Sequence, residues 1–120
     1  MIRQLSTLIV SAPLSLAAVA QAPAVDTLYY VVRDGVTMTV HSHIIDIDYA
    51  DDGTFSGTAA GSPFEGQYRL DGNRLCVTSS LSVSETCTSY PEGKRPGDEF
   101  EVVSPTLGPV RIRIRTPEDR

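Results

Sequence analysis

The sequence predicts an all-β domain, an up-and-down antiparallel meander of about eight strands that closes into a small barrel. After residue 25, apolar and polar residues alternate in short runs, which is typical of strands with one buried face. Turn dipeptides such as Asp34-Gly35 and Gly72-Asn73 separate these runs at the short spacing of a meander. Barrel closure hides the edges that an open sheet would expose. A β-sandwich is the alternative architecture.

Residues 1–24 have the plan of a secretory signal peptide. Arg3 is their only charged side chain, an apolar run extends from Leu5 to Ala20, and small residues follow at the spacing that signal peptidase recognises. We therefore expect cleavage within 20–24, a single domain over 25–115, and no membrane span after cleavage. Export implies a periplasmic or secreted location.

The mature chain divides into short strand-like runs, and apolar parity changes once, so we expect a bulge or bend near Ser42-His43. The expected spans are 27–33, 36–41, 44–50, 54–59, 64–70, 74–79, 84–90, 99–104 and 109–115. Residues 116–120 are expected to form a disordered tail.

Four turns predict a register in which apolar residues face each other across the hairpins. The predicted pairs are Val31–Met38, Tyr49–Phe55, Leu70–Leu75 and Val102–Ile112. The last register also places Glu101 opposite Arg113 and Glu99 opposite Arg115, so we interpret the basic run 111–115 as structural ion pairs.

Cys76 and Cys87 are the only cysteines. In an exported protein an isolated pair of this kind is most simply a disulfide. A turn near Leu81-Ser82 would bring the two residues face to face on neighbouring strands.

Several of these segments together resemble small exported bacterial proteins of unknown function that have one disulfide. The resemblance rests on Asp52-Gly53-Thr54-Phe55-Ser56-Gly57, on Gly66-Gln67-Tyr68-Arg69-Leu70, on Arg74-Leu75-Cys76-Val77, and on Cys87 and Tyr90. It covers roughly residues 45–102, although those proteins often have Trp where Tyr68 stands. The resemblance implies a small β-barrel and no particular activity.

Polar clusters give few indications of chemistry. His41 and His43 are weak candidates for a metal site, because their spacing places both rings on one face of a strand. A third ligand is not evident, and we expect no metal and no cofactor. The acidic residues near 46–52 and 98–101 are typical of turns and solvated faces. The sequence contains no Gly-x-Ser-x-Gly elbow, and its formal net charge of −5 argues against nucleic acid.

These observations favour a non-enzymatic binding protein. Tyr29, Tyr49 and Phe55 are the candidate residues for lining a ligand site in the barrel mouth. Lys94 and Arg95, on the proline-flanked loop 91–98, are the candidates for binding an envelope protein partner, with inhibition of an envelope enzyme as one such role. A hydrolase-type enzyme and a structural envelope component are the alternatives. An apolar cavity would favour a small ligand, whereas a filled interior would favour a protein partner.

Overall fold

A computed structural model describes residues 26–80 and 82–119, without the side chains of residues 82 and 83. The expected signal peptide therefore lies outside the described residues. One helix precedes eight strands and a final 3-10 helix, with these bounds: α1 Thr27–Asp34, β1 Val36–Val40, β2 His43–Tyr49, β3 Thr54–Ala59, β4 Ser62–Asp71, β5 Arg74–Ser79, β6 Ser82–Ser89, β7 Glu99–Ser104, β8 Gly108–Ile114, and the 3-10 helix Pro117–Asp119.

The eight strands form a single antiparallel sheet that curls into a nearly closed barrel. Their order is β6-β5-β4-β3-β2-β1-β8-β7, so β8 pairs with β1 and the open seam lies between β6 and β7. The predicted meander is confirmed, and the sandwich alternative is wrong. Each wall residue faces either the interior or the outside, as strand geometry requires.

The strand expected at 27–33 is wrong, because these residues form α1. The carboxylate of Asp26 caps the helix by accepting the amide N–H of Leu28 at 3.0 Å. Gly35 ends it with φ 79°, and its N–H bonds the carbonyl of Val31 at 2.9 Å. Leu28 and Val31, three residues apart, are buried on one face of the helix. The Asp34-Gly35 turn therefore ends a helix and starts β1.

Two of the four predicted registers are confirmed and two are wrong. Val31 lies in α1, so it does not pair with Met38, which instead pairs with Ile45 and Ile112. Tyr49 pairs with Phe55, and Leu70 pairs with Leu75. In the last hairpin, however, Ser104 pairs with Gly108 around a three-residue turn. The register is therefore shifted by two residues.

The shift moves every predicted partner in that hairpin. Val102 pairs with Val110 rather than Ile112, and Phe100 pairs with Ile112. Glu101 lies opposite Arg111 and Glu99 lies opposite Arg113, which corrects the predicted charge pairs. The inward parity is unchanged, because a shift of two keeps each side chain on its face.

Two glycines let β3 and β4 bend inward. Phe55 pairs with Gly66, and Gly57 pairs with Phe64. A Cβ on Gly57 would lie 2.6 Å from Cζ of Phe64, and one on Gly66 would lie 2.2 Å from the carbonyl oxygen of Thr78. Each phenyl ring therefore covers a glycine on the opposite strand, as expected where a barrel wall curves sharply.

The two ends of the barrel differ. We call one end the mouth; it is formed by the turns at 41–42, 60–61 and 105–107 and by the ends of β5 and β6, where Ser79 pairs with Ser82. The closed end carries α1 and the loop 91–98. Thr27 ties these two together, since its hydroxyl donates to the carbonyl of Pro91 at 2.5 Å and accepts the N–H of Lys94 at 3.0 Å.

The described residues that follow β8 are held against it by hydrogen bonds. Asp119 accepts the N–H of Thr116 at 2.7 Å and bonds Nη1 of Arg113 at 2.7 Å. Residues 117–119 of the expected disordered tail thus form a 3-10 turn against β8. No helix among residues 26–80 and 82–119 is long and apolar enough to cross a membrane.

Candidate functional site

The barrel encloses a cavity of about 420 Å³. All eight strands contribute inward-facing residues to it, and most of them are apolar or aromatic. The lining residues are Met38, Ile45, Ile47, Tyr49, Phe55, Ala59, Phe64, Leu75, Val77, Ser79, Ser84, Thr86, Thr88, Tyr90, Val102, Ser104, Thr106, Leu107 and Val110. An eight-stranded barrel has an interior of the size that holds side chains or one small ligand.

Aromatic rings form the floor of the cavity. The ring of Tyr49 lies 6.0 Å from that of Phe55 and 5.1 Å from that of Tyr68, measured between centroids. Tyr90 contacts Phe100 at 6.0 Å in an edge-to-face arrangement. Beneath them, the buried face of α1 packs into the same core. The floor is therefore closed by packed side chains.

Burial raises the pKa of both tyrosines at the floor. The pKa of Tyr49 lies well above its ordinary value, chiefly through loss of solvation and then through the neighbouring Tyr90 and Tyr68. Loss of solvation alone raises the pKa of Tyr90. Both phenols therefore stay neutral at physiological pH, and the same surroundings disfavour any buried anion that lacks a cationic partner.

Hydroxyl groups occupy one side of the cavity. Thr86 and Thr88 face inward from β6, and Ser104 faces inward from β7 across the open seam. Ser79 and Ser84 line the same side nearer the mouth. The wall made by β1 to β4 is apolar, and the described residues that line the cavity include no Asp, Glu, Lys or Arg. The interior can therefore hold an apolar body and offer hydrogen bonds to one neutral group.

The cavity reaches solvent at the mouth. Leu107, in the β7–β8 turn, lines the cavity and is also 45% exposed. Thr106 of the same turn and Ala59 at the end of β3 lie at this level of the wall. A ligand would therefore enter between the turns of the mouth, opposite α1.

A second depression of about 450 Å³ lies over Thr54, Glu65 and Gln67 near the outer surface of β3 and β4. It is more open and more polar than the barrel cavity. Water would compete there with any polar ligand, so we regard the barrel cavity as the candidate site.

Two of the three predicted lining residues belong to the cavity. Tyr49 and Phe55 line it, although at the floor and not at the mouth. Tyr29 does not line it, because it lies on α1, 55% exposed, on the helix face that points away from the core. There it contacts Tyr30 and the guanidinium of Arg33.

Lys94 and Arg95 lie on the closed end. The ammonium of Lys94 is 5.8 Å from the centroid of the Phe100 ring. The amide N–H of Arg95 bonds Asp98, and the Arg95 side chain is exposed. The loop is thus held in place with one cation presented to solvent, and its role in binding a partner stays a prediction.

Both histidines lie in the mouth, and neither belongs to the described group of side chains whose spacing could suit a metal ion. His41 occupies the β1–β2 turn with φ 56°, and His43 begins β2; both are exposed. The described group with metal-like spacing is Cys76, Glu85 and Cys87. Both sulfurs are bonded to each other, with Cα atoms 3.9 Å apart, so they form the predicted disulfide.

Arg111 and Arg113 of β8 and Arg115 directly after it each have a partner, although not the predicted one. Arg111 approaches Glu99 at 3.8 Å, and Arg113 bonds Asp119 at 2.7 Å. Arg115 bonds Asp48 and also donates from Nη2 to the carbonyl of Ile47 at 2.9 Å. These contacts join residues 111–115 to β7, to the 3-10 helix and to β2, so the basic residues do not form a free stripe for an anion.

Two acidic residues of the 46–52 cluster form hydrogen bonds with nearby threonines. Asp52 accepts the N–H and the hydroxyl of Thr54 at 3.0 and 2.6 Å, and these bonds lower its pKa. Asp46 accepts a hydrogen bond from the hydroxyl of Thr37 at 2.9 Å.

Sequence reasoning missed the hydroxyl side of the cavity. Its signal was present, because Ser84, Thr86 and Thr88 alternate with outward residues along β6.

No family model, no curated protein and no solved structure matches the chain. The resemblance to small exported single-disulfide proteins therefore stays a prediction.

Proposed function

We propose that this protein binds one small, uncharged, predominantly apolar molecule inside the barrel, and that it is a binding protein and not an enzyme. The observation that carries the proposal is the cavity of about 420 Å³ that opens at the mouth. Ligand pockets commonly have volumes of about 300–1,000 Å³ and apolar linings with a few polar groups. This cavity fits that description.

The lining also defines the chemistry of the ligand. A carboxylate in the cavity would lose its hydration, and neither Lys nor Arg lines the wall to compensate. A neutral hydroxyl or carbonyl oxygen can instead bond to Thr86 or Thr88 while the apolar body contacts β1 to β4. We therefore expect a saturated or aromatic alcohol to bind more tightly than the acid of the same length.

A titration with an uncharged naphthylamine probe, whose emission rises in apolar surroundings, tests the proposal. The wild-type protein should bind one probe per barrel, and dodecanol should displace it more effectively than dodecanoate. No saturable probe binding would contradict the proposal, and stronger displacement by dodecanoate would contradict the neutral ligand.

A matched pair of variants locates the probe. Ala59 lines the cavity, whereas Thr58 is exposed on the opposite face of β3. Ala59→Trp should occupy the cavity and abolish probe binding, and Thr58→Trp should bind as the wild type does. Circular dichroism checks that both variants fold. Equal binding by the two variants would place the probe outside the barrel.

We further propose that the chain is exported. The support is the signal-like sequence of residues 1–24 together with the disulfide between Cys76 and Cys87, a bond that persists in oxidising compartments. The intact mass of protein recovered from the native host should correspond to a mature N-terminus between Gln21 and Val25. A mass that retains Met1 would contradict export by cleavage.

A further inference from the structure

Among the described residues, Asp, Glu, Lys and Arg are absent from the mouth half of the barrel, whose titratable side chains are His41 and His43. Four parts of the described chain meet there, and 38–45, 57–64, 77–80 together with 82–84, and 102–110 contain no Asp, Glu, Lys or Arg. Charged residues make up 21% of the chain, so this absence from four separate stretches that meet at one end is not what composition predicts. The described Asp, Glu, Lys and Arg residues lie at the closed end and on the wall between the two ends, where Asp46, Glu65 and Glu85 are exposed.

The mouth half also carries exposed aliphatic side chains. Ile44 is 62% exposed beside the His41-Ser42 turn, Val103 is 66% exposed on β7, and Leu107 is 45% exposed in the β7–β8 turn. The other exposed residues of the described mouth turns are His41, Ser42, Ala60, Gly61, Pro105 and Thr106, and His43 is exposed at the start of β2. Covering this surface would remove apolar area from water without desolvating a carboxylate, an ammonium or a guanidinium group.

The apolar opening and the uncharged surface coincide. Leu107 belongs to both, because it lines the cavity and projects into solvent. A surface that covers the mouth would therefore also face the entrance of the cavity. The opposite end has α1 and the loop 91–98 and offers no such opening among the described residues.

We propose that the mouth docks on the neutral surface of a zwitterionic phospholipid bilayer, with the cavity entrance against the lipid. The docking is independent of the proposed ligand, and only an exchange of ligand with the bilayer would rest on the proposed function. An end without described Asp, Glu, Lys or Arg on an otherwise acidic protein fits a neutral lipid surface. An anionic surface would repel the remaining charges.

A protein partner fits the mouth less well. Stable protein interfaces are anchored mainly by Trp, Tyr and Arg side chains. The four mouth stretches contain none of these three residue types, although the chain has five Tyr. Three exposed aliphatic side chains provide a small apolar contact, and the strength of interfacial binding scales with buried apolar area. The docking is therefore weak and transient.

Tryptophan reporters can test the orientation directly, since the chain has no Trp. Leu107 at the mouth and Leu70 toward the closed end are 45% and 46% exposed, so Leu107→Trp and Leu70→Trp form a matched pair. Each is mixed with phosphatidylcholine vesicles whose acyl chains carry bromine, a quencher. We expect a blue shift and loss of emission for Leu107→Trp and neither change for Leu70→Trp.

A second pair of substitutions separates docking from the effect of the reporter itself. Ile44→Asp places a charge in the mouth, whereas Gln67→Asp places the same charge on an exposed site of β4 outside the four stretches. In the Leu107→Trp background, Ile44→Asp should abolish quenching and Gln67→Asp should leave it unchanged. Circular dichroism confirms that each variant is folded.

Three results would overturn the inference. The first is equal quenching of the two reporters, or no quenching of Leu107→Trp. The second is quenching that survives Ile44→Asp. The third is a Leu107→Trp emission that shifts with protein concentration in the absence of vesicles, which would assign the mouth to a contact between two copies of this chain.

Discussion

Ile44 and Ile45 are consecutive in β2 and lie on opposite faces of the barrel wall. Ile45 lines the cavity, whereas Ile44 is 62% exposed to solvent. The two isoleucines are chemically identical, so any difference in their contacts with an added apolar molecule reports which side of the wall that molecule occupies. The proposed function depends on the inner face of the wall, and the proposed lipid contact depends on the outer face near the mouth.

The C-terminal strand should tolerate loss of an arginine better than loss of an isoleucine. Ile112 is fully buried, so Ile112→Ala should leave a cavity and lower the free energy of unfolding by about 2–5 kcal/mol. Arg113 forms an exposed ion pair with Asp119, so Arg113→Ala should cost well under about 1 kcal/mol. Urea denaturation measures both, and the reverse order would invert the inner and outer faces of β8.

The disulfide should hold an edge strand in place. β6 lies at the end of the sheet order and pairs only with β5, where Cys76 lies opposite Cys87. Reduction should lower the free energy of unfolding by about 2–3 kcal/mol. It should also accelerate amide hydrogen exchange in β6 more than in β2. The stability of the variant with both Cys76→Ala and Cys87→Ala should not change on addition of reductant. If reductant left the stability of the wild-type protein unchanged as well, the disulfide would not stabilise the fold.

Acid should weaken the attachment of the chain after β8. The hydrogen bonds from Thr116 and Arg113 lower the pKa of Asp119 from 3.8 to about 2. Because the folded-state pKa lies below the unfolded value, this contribution is present above about pH 4 and is lost as the pH falls toward 2. Asp119→Asn should lower the melting temperature at pH 6. It should also reduce the difference between the melting temperatures measured at pH 6 and at pH 2.

Glu118→Gln is the control, because it removes a carboxylate one residue away. It should leave the pH dependence close to that of the wild type. If both variants behaved alike, the pH dependence would come from general charge repulsion and not from the bonds of Asp119.

Local turn chemistry was enough to predict most of the sheet. Gly53 and Gly72 have positive φ, as their predicted hairpin turns require, and the registers on either side follow. The parity change was also informative. The bend expected near Ser42-His43 is a two-residue hairpin turn at His41-Ser42, with Val40 opposite His43.

The helix could not be separated from a strand by periodicity alone. Residues 27–33 are rich in Tyr and Val, which favour strands, and Asp34-Gly35 is a common hairpin turn. The deciding contacts are tertiary, because Leu28 and Val31 pack into the closed end of the barrel. Asp26 was the available local signal, since Asp is a preferred helix N-cap.

The candidate site was predicted in part for a related reason. Tyr49 and Phe55 could be predicted to line the cavity because the register of their hairpin was predicted correctly. Tyr29 does not line it, because the strand predicted at 27–33 is the helix α1. The position of the seam between β6 and β7 depends on β8 pairing with β1, a contact between distant parts of the chain. No local pattern could therefore show that Thr86 and Ser104 face one cavity.

The most direct test of the central claim is a nuclear magnetic resonance measurement of contacts between dodecanol and the methyl groups of the protein. We expect intermolecular Overhauser effects to Ile45, Val77 and Val102, which line the cavity, at one alcohol per barrel. Ile44 and Val103, which are exposed and adjacent in sequence to Ile45 and Val102, should show no Overhauser effect to the alcohol. Contacts confined to Ile44 and Val103, or no saturable contact at all, would contradict a ligand inside the barrel.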